Sequence, residues 1–200
     1  MTTVDDLART ADAVAATRSK LEKMRLLAEF LAALGEEELP LGARYFAGSV
    51  FPVGDARTLN VGGAALSSAL RSIATVDDAA LTKSWRRHAD AGDVTQDVLA
   101  AAGHRGDAPL KLTELHAAFN ALATTSGNNA KTAALRDLLA RSSPAAARYI
   151  VKLVTGEMRI GLREGLVEEA IARAFDSDSA DTARAMMLVG DLGEVALLAA

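Results

Sequence analysis

From Val4 to Ala174 the apolar residues of this chain recur every three or four positions, and no segment sustains the strict alternation a strand requires. That rhythm restricts the fold to helices. Val4, Leu7, Ala11 and Val14 mark one amphipathic helix, and Leu21, Met24, Ala28 and Leu31 mark a second that closes at Gly35. A short helix is expected from Leu41 to Val50, after Pro40, and another from Ala64 to Ile73 beyond the glycine-rich stretch FPVGDARTLNVGG. Thr75 with Asp77 and Asp78 reads as the cap of a helix through Lys83, Trp85 and Arg87, and Asp93 as the cap of the next. Leu112, Leu115, Phe119 and Leu122 follow; then Ser143 before Pro144 opens a helix buried through Ala147, Ile150, Val151 and Val154, and Leu166, Ala170, Ile171 and Ala174 mark one more. Half of the 200 residues are apolar and only 4% are aromatic, so the expected fold is an all-α, compact multi-helix domain over residues 1–200, packed on alanine and leucine.

An internal repeat runs through the pattern. LNVGGAALSSAL from Leu59 resembles MRIGLREGLVEEAI from Met158, and AGDVTQDVLAAA from Ala91 answers VGDLGEVALLAA from Val189. Gly62 to Gly92 is 30 positions and Gly161 to Gly190 is 29. Two copies of a helix pair with pseudo-two-fold symmetry would present two similar glycine loops. Short apolar helices with Gly-Asp turns also resemble one another by chance.

Several classes are set aside. The absence of cysteine removes disulfides and thiolate metal sites and fits a reducing, cytoplasmic setting. MTTVDDLART is no signal peptide, and no apolar run reaches the length of a membrane helix, so no membrane partner is expected. His88, His104 and His116 form no ligand spacing, and no catalytic serine elbow or phosphate loop of the Walker type occurs, so neither a metal site nor a catalytic residue is expected. Trp85 beside Arg86 and Arg87 has the chemistry to stack on a base, yet a lone tryptophan among aliphatic residues belongs more often to a core.

Charge is unevenly spread. Between Ser126 and Arg163 stand seven cations (Lys131, Arg136, Arg141, Arg148, Lys152, Arg159 and Arg163) against Asp137 and Glu157, a balance of +5 in a chain whose net charge is −4. The remainder is therefore −9. A basic island on an acidic background points to a polyanion. In TTSGNNAKTAAL a helix should begin at Asn128 or Asn129, with Ser126, Gly127, Lys131 and Thr132 around its free amides. A cation there, where the helix dipole favours acids, suits a bound phosphate; an asparagine-capped helix with a solvated lysine would have the same sequence. Arg148 and Lys152, four apart, are expected opposite Ile150 and Val154 on a basic face. Arg159 and Arg163 flank Gly161 in a turn where backbone can approach a ligand closely.

TLNVGGAALSSAL, the long segment from Leu112 to Ile171, and the terminal GDLGEVA together resemble the helical N-terminal DNA-binding domain of ATP-dependent DNA ligases. Residues 1 to 50 match only in helical character. The resemblance implies a domain that grips duplex DNA, nicked in its functional form, through the minor groove and phosphates. It implies as the DNA-contacting set Gly62, Gly63, Gly127, Lys131, Thr132, Lys152, Arg159, Gly161 and Arg163; Ser126, Asn128, Asn129 and Arg148 join them as the remaining candidates read from the island.

None of the six lysines (Lys20, Lys23, Lys83, Lys111, Lys131 and Lys152) begins the Lys-x-Asp-Gly motif that the family adenylates. The resemblance therefore implies a fragment cut before its catalytic nucleotidyltransferase and OB-fold domains. It needs no cofactor of its own, whereas ATP and Mg2+ are implied for a parent enzyme that seals nicks in replication, repair or recombination. A cytoplasmic monomer is expected, and the alanine-rich composition suggests a bacterial source with GC-rich codons. A different reading stays open: an all-helical scaffold docking an acidic protein through the same basic stripe. The two differ in geometry, because a DNA grip needs the glycine loops and the Lys131 turn on one side, whereas a scaffold needs an apolar patch beside the stripe.

Overall fold

The computed structural model describes residues 1–200, which form twelve helices and no strand. In chain order these are α1 (Val4–Ala16), α2 (Lys20–Ala32), α3 (Leu39–Phe46), α4 (Gly63–Ala74), α5 (Asp78–Arg87) and α6 (Ala91–Ala101), then α7 (Leu112–Thr124), α8 (Asn128–Arg141), α9 (Pro144–Thr155), α10 (Glu164–Ala174), α11 (Ser179–Val189) and α12 (Leu192–Ala199). Seven starts are closed by a side chain: Thr3, Ser19, Asp77, Asp90, Ser143, Asp178 and Asp191 each accept a backbone N–H from the first turn. Gly156 and Gly190 end α9 and α11 in the left-handed conformation that glycine enters without strain.

Three local expectations shift. Thr75 is the left-handed C-cap of α4, and the N-cap of α5 is Asp77, whose carboxylate takes the Ala80 amide at 2.7 Å. The cap of α6 is Asp90, with Asp93 inside the first turn. Helix packing decides that choice: a Cβ on Gly92 would fall 2.6 Å from the Arg148 carbonyl, so Gly92 must lie within the helix where α6 presses on α9. Helix α3 stops at Phe46, ahead of Val50, because Gly48 turns the chain at φ +84°.

The twelve helices correspond six to six. Helices α1 and α7 start at Val4 and Leu112, and α2 and α8 at Lys20 and Asn128; both intervals are 108 positions. After a longer loop in the first half, α4 and α10 start at Gly63 and Glu164, α5 and α11 at Asp78 and Ser179, α6 and α12 at Ala91 and Leu192, all 101 positions apart. This register matches Leu59 to Ile160 and Ala91 to Leu192, not to Met158 and Val189, because the Asp90 and Asp191 caps fix it.

Contacts between halves come in pairs. The Val4 amide donates to the Leu110 carbonyl at 2.7 Å, and the equivalent Leu112 amide donates to the Thr2 carbonyl at 3.1 Å. Arg44 of α3 meets Asp191 at 2.8 Å, and Lys152 of α9 meets Asp90 at 2.8 Å. Helix α6 lies on α9 and α12 on α3, while α4 lies on α8 and α10 on α2. Each half thus lends helices to its counterpart, and the apolar sides close into one core. Leu27, Leu31, Leu66 and Leu70 are buried there, as are Leu135, Leu139, Val167 and Ile171 at the matching positions. Tyr45 and Phe119 meet edge to face at its centre, ring centroids 6.1 Å apart.

Candidate nucleic-acid interface

Helices α4 and α8 open on bare backbone. Their N-caps, Gly62 and Gly127, offer no side chain to the first-turn amides, and neither first turn holds an acid. The free N–H groups and positive dipole ends therefore face solvent uncompensated. A Cβ on Gly62, Gly63 or Gly127 would meet nothing within 4 Å, so all three glycines leave open space above the helix starts. Gly127 needs to be glycine for a further reason: its φ of +86° is strained for any residue with a Cβ.

The two starts are tied together. Lys131, in the first turns of α8, donates its ammonium to the Leu59 carbonyl at 2.7 Å, across 72 positions of sequence. Its cation is half-buried at the seam between α8 and the loop leading into α4. Ser126, Asn128 and Asn129 are exposed around it, while the Thr132 hydroxyl donates back along its own helix to the Asn128 carbonyl at 2.8 Å.

A matching arrangement lies in the other half. Lys23, equivalent to Lys131, donates to the Ile160 carbonyl at 2.8 Å and the Gly161 carbonyl at 3.0 Å. Asn60 and Gly161, at equivalent places, both take positive φ, 48° and 66°. This second pair of helix starts, α2 and α10, is lined by cations: Arg18, Lys20, Lys23, Arg159 and Arg163 border a cleft of about 810 Å3 whose one acid is Glu169. Arg18, Lys20 and Arg163 are exposed. Arg159 is half-exposed, donates to the Ala89 carbonyl at 3.0 Å and pairs with Glu157. Where one pair of helix starts has no side-chain cap and the single cation Lys131 at its seam, the other is ringed by positive charge.

The loops of the two pairs meet. A Cβ on Gly48 would lie 3.6 Å from the Gly156 carbonyl oxygen and 3.7 Å from the Met158 side chain. The start of the loop between α3 and α4 therefore adjoins the segment that leads from α9 into the turn of Arg159, Gly161 and Arg163.

Arg148 and Lys152 do not form a solvated basic face. The Lys152 side chain is 3% exposed, its ammonium 2.8 Å from Asp90 and 3.4 Å from Asp93. Arg148 donates to Asp93 at 2.7 Å and to Asp12 at 2.8 Å. Helix α9 runs through the core with Tyr149, Ile150, Val151 and Leu153 all buried, and the acids that neutralise its cations come from α1, α6 and the residue that caps α6. Sequence separation concealed those partners. Burial alone would push the Asp90 carboxyl up, but hydrogen bonds from Lys152 and the Asp93 and Gly92 amides, with the Lys152 charge, outweigh it and hold the group below its ordinary range. Asp191 is held down the same way, burial being overcome by Arg44 and the Val53 and Glu194 amides.

The structure adds Arg18, Lys20 and Lys23 to the basic set, outside the island that composition isolates. The matched spacing of Lys23 and Lys131 is the signal that would have found them. Trp85 is not a core residue; it is 37% exposed and shares a narrow groove with Gly62 and Gly63. The histidines sit apart, His88 near Asp97, His104 on the Ser142 carbonyl and His116 against Tyr45.

The family model described as DNA ligase N terminus matches residues 3–172. A probable DNA ligase of Koribacter versatilis is 41% identical over 198 residues, covering 97% of this chain and 34% of that protein. The DNA ligase of Methanosphaerula palustris is 34% identical over 198 residues (96% of this chain, 35% of that protein), and that of Methanothermobacter thermautotrophicus is 32% identical over 199 residues (97% and 36%). The chain spans about a third of the length of these relatives, which include archaeal proteins.

Proposed function

Since the chain belongs to the DNA ligase N-terminus family, we propose that residues 1–200 are the duplex-binding domain of an ATP-dependent DNA ligase, with nucleotidyltransferase and OB-fold domains elsewhere in a longer protein. The observation that carries this reading is the pairing of helix starts: α4 with α8 through Lys131 and Leu59, α2 with α10 through Lys23 and Ile160. At α4 and α8, whose starts have neither a side-chain cap nor a first-turn acid, free amides take phosphate oxygens, and the exposed glycines let the sugar-phosphate backbone approach them. Arg18, Lys20, Arg159 and Arg163 supply the long-range attraction that a polyanion answers.

Two matched sites in two intertwined halves suit the two strands of a duplex, whose backbones line the minor groove on either side. On this reading the six-to-six correspondence is an approximate two-fold relation, and both sites face the duplex from the same side of the protein. Few of these side chains are shaped to read base edges, so binding is to structure more than to sequence, at a nick in the functional complex. ATP and Mg2+ serve the parts of the protein outside residues 1–200, where AMP would pass from a lysine to the 5′-phosphate before the 3′-hydroxyl displaces it. The domain acts as a cytoplasmic monomer. No helix here is long and apolar enough to cross a membrane.

The scaffold reading finds less support. Of the exposed large apolar residues, five (Met187, Leu188, Val189, Leu197 and Leu198) lie on α11 and α12, whereas Leu21 stands alone among them beside the basic cleft, between Lys20 and Lys23.

The test is charge reversal at exposed cations with binding to a fluorescent nicked duplex as readout. Arg163→Glu and Arg18→Glu should each weaken binding with helicity intact; unchanged affinity in both removes the basic cleft from the site.

A further inference from the structure

The two halves differ sharply on one face. In the first half, α5 and α6 present Arg86, Arg87 and His88 beside Asp97: Arg87 pairs with Asp97 at 3.4 Å, Ser84 donates to Asp97 at 2.7 Å, and His88 stands 3.6 Å from the same carboxylate. The surface is polar, and Asp97 draws Ser84, Arg87 and His88 together. At the equivalent places of α11 and α12, 101 positions on, stand Met187, Leu188 and Val189 beside Leu198, with Ala185 replacing Ser84. Met187 is 88% exposed, Leu188 81%, and Leu198 69%.

The first half therefore acts as an internal control. The architecture folds with charged, hydrogen-bonded residues on this face, so its packing does not require the apolar set. Contiguous exposed side chains of this size mark a contact surface. The patch lies on the last two helices, and the relatives extend to about three times the length that the chain matches.

We propose that the apolar face of α11 and α12 is the seat of the polypeptide that follows residue 200 in the longer protein, fixing the position of the DNA grip relative to the rest of the ligase. This rests on the reading of the chain as one part of a longer ligase. The exposed apolar ridge, otherwise an aggregation liability, is covered in cis, and the equivalent ridge of α5 and α6 remains solvated.

Hydrogen–deuterium exchange without DNA tests it, comparing residues 1–200 with the longer protein. The readout is α11, because α12 would gain protection merely by ceasing to be a chain end. Amides of Arg184 to Val189 should exchange about tenfold slower in the longer protein. Leu188→Arg with Leu198→Asp, which copies the Arg87 and Asp97 pair, should abolish that protection. The same double variant in residues 1–200 should melt within a few degrees of the parent chain, since the first half already carries the pair. Equal exchange of α11 in the two proteins overturns the proposal. So does sedimentation in which residues 1–200 dimerise, the double variant does not, and the longer protein protects α11 only when dimeric; the occupant would then be a second copy. Nicked-duplex binding by residues 1–200 is measured separately, so loss of the docking claim leaves the DNA reading standing and the reverse holds too.

Discussion

Lys23 donates its ammonium to the Ile160 carbonyl at 2.8 Å, joining two residues 137 positions apart and pinning the turn of Arg159, Gly161 and Arg163 against the first turns of α2. Lys131 does the same to Leu59 at 2.7 Å in the other half. Both lysines position loops; neither is a free surface charge. Lys23→Met keeps the aliphatic stem but leaves the Ile160 and Gly161 carbonyls short of a donor. Urea denaturation should record a loss of about 1–3 kcal/mol, and affinity for a nicked duplex should fall as the turn loosens, with the stability loss accounting for none of it at temperatures where the variant is folded.

Gly62→Ala and Gly63→Ala separate folding from binding. Neither position has a positive φ, and a Cβ there meets nothing within 4 Å. Stability should stay within about 0.5 kcal/mol of the parent. Affinity for duplex DNA should drop about tenfold, or 1.4 kcal/mol, because the methyl group occupies the space the DNA backbone needs. Fluorescence anisotropy beside thermal melting checks both halves of the statement. Gly127→Ala should additionally cost about 1–3 kcal/mol in stability, through its strained φ.

Lys152 and Arg163 should respond in opposite ways. Removing Lys152 leaves Asp90 buried without its cation, and Lys152→Ala should destabilise the fold by about 3–5 kcal/mol while the salt dependence of DNA binding by folded protein stays unchanged. Arg163→Ala should leave the melting temperature nearly unmoved. Its slope of log affinity against log salt should shrink by about 0.9, one phosphate contact.

Acid should unfold the domain through Asp90 and Asp191. Both carboxyls are held below the ordinary value of 3.8 in the folded protein. A depressed folded value means that the stabilisation is complete above the unfolded value and is lost as pH falls through the folded one. Thermal melts should therefore be flat in this contribution at neutral pH and decline as pH falls through and below the ordinary carboxylate value of 3.8. Asp90→Asn should be less stable at neutral pH and show a shallower acid decline.

Much of this fold is written locally. The three-to-four spacing of Val4, Leu7, Ala11 and Val14, the Ser143 and Pro144 start of α9 and the Gly156 stop are each read within a few residues, and the helices stand where those signals put them. What escaped was decided at a distance. Lys152 looks like a surface cation until α6 and its cap bring Asp90 and Asp93 to it, and Lys23 looks like part of a solvated helix until Ile160 arrives. The charge count isolated the stretch from Ser126 to Arg163 correctly as basic, yet it could not tell which cations are neutralised. Helix α11 escapes the periodicity because Met187, Leu188 and Val189 lie on its exposed side and only Ala185 and Met186 pack inward, too few to mark a stripe.

The central claim is that residues 1–200 grip duplex DNA through two matched pairs of helix starts. Binding of a fluorescent nicked duplex across a salt series, with intact duplex as competitor, tests it most directly. Log affinity should fall linearly with log salt with a slope of several contacts at about 0.9 each, and Arg163→Ala and Arg18→Ala should each reduce that slope. No binding at low salt, or binding whose slope ignores both substitutions, would contradict it.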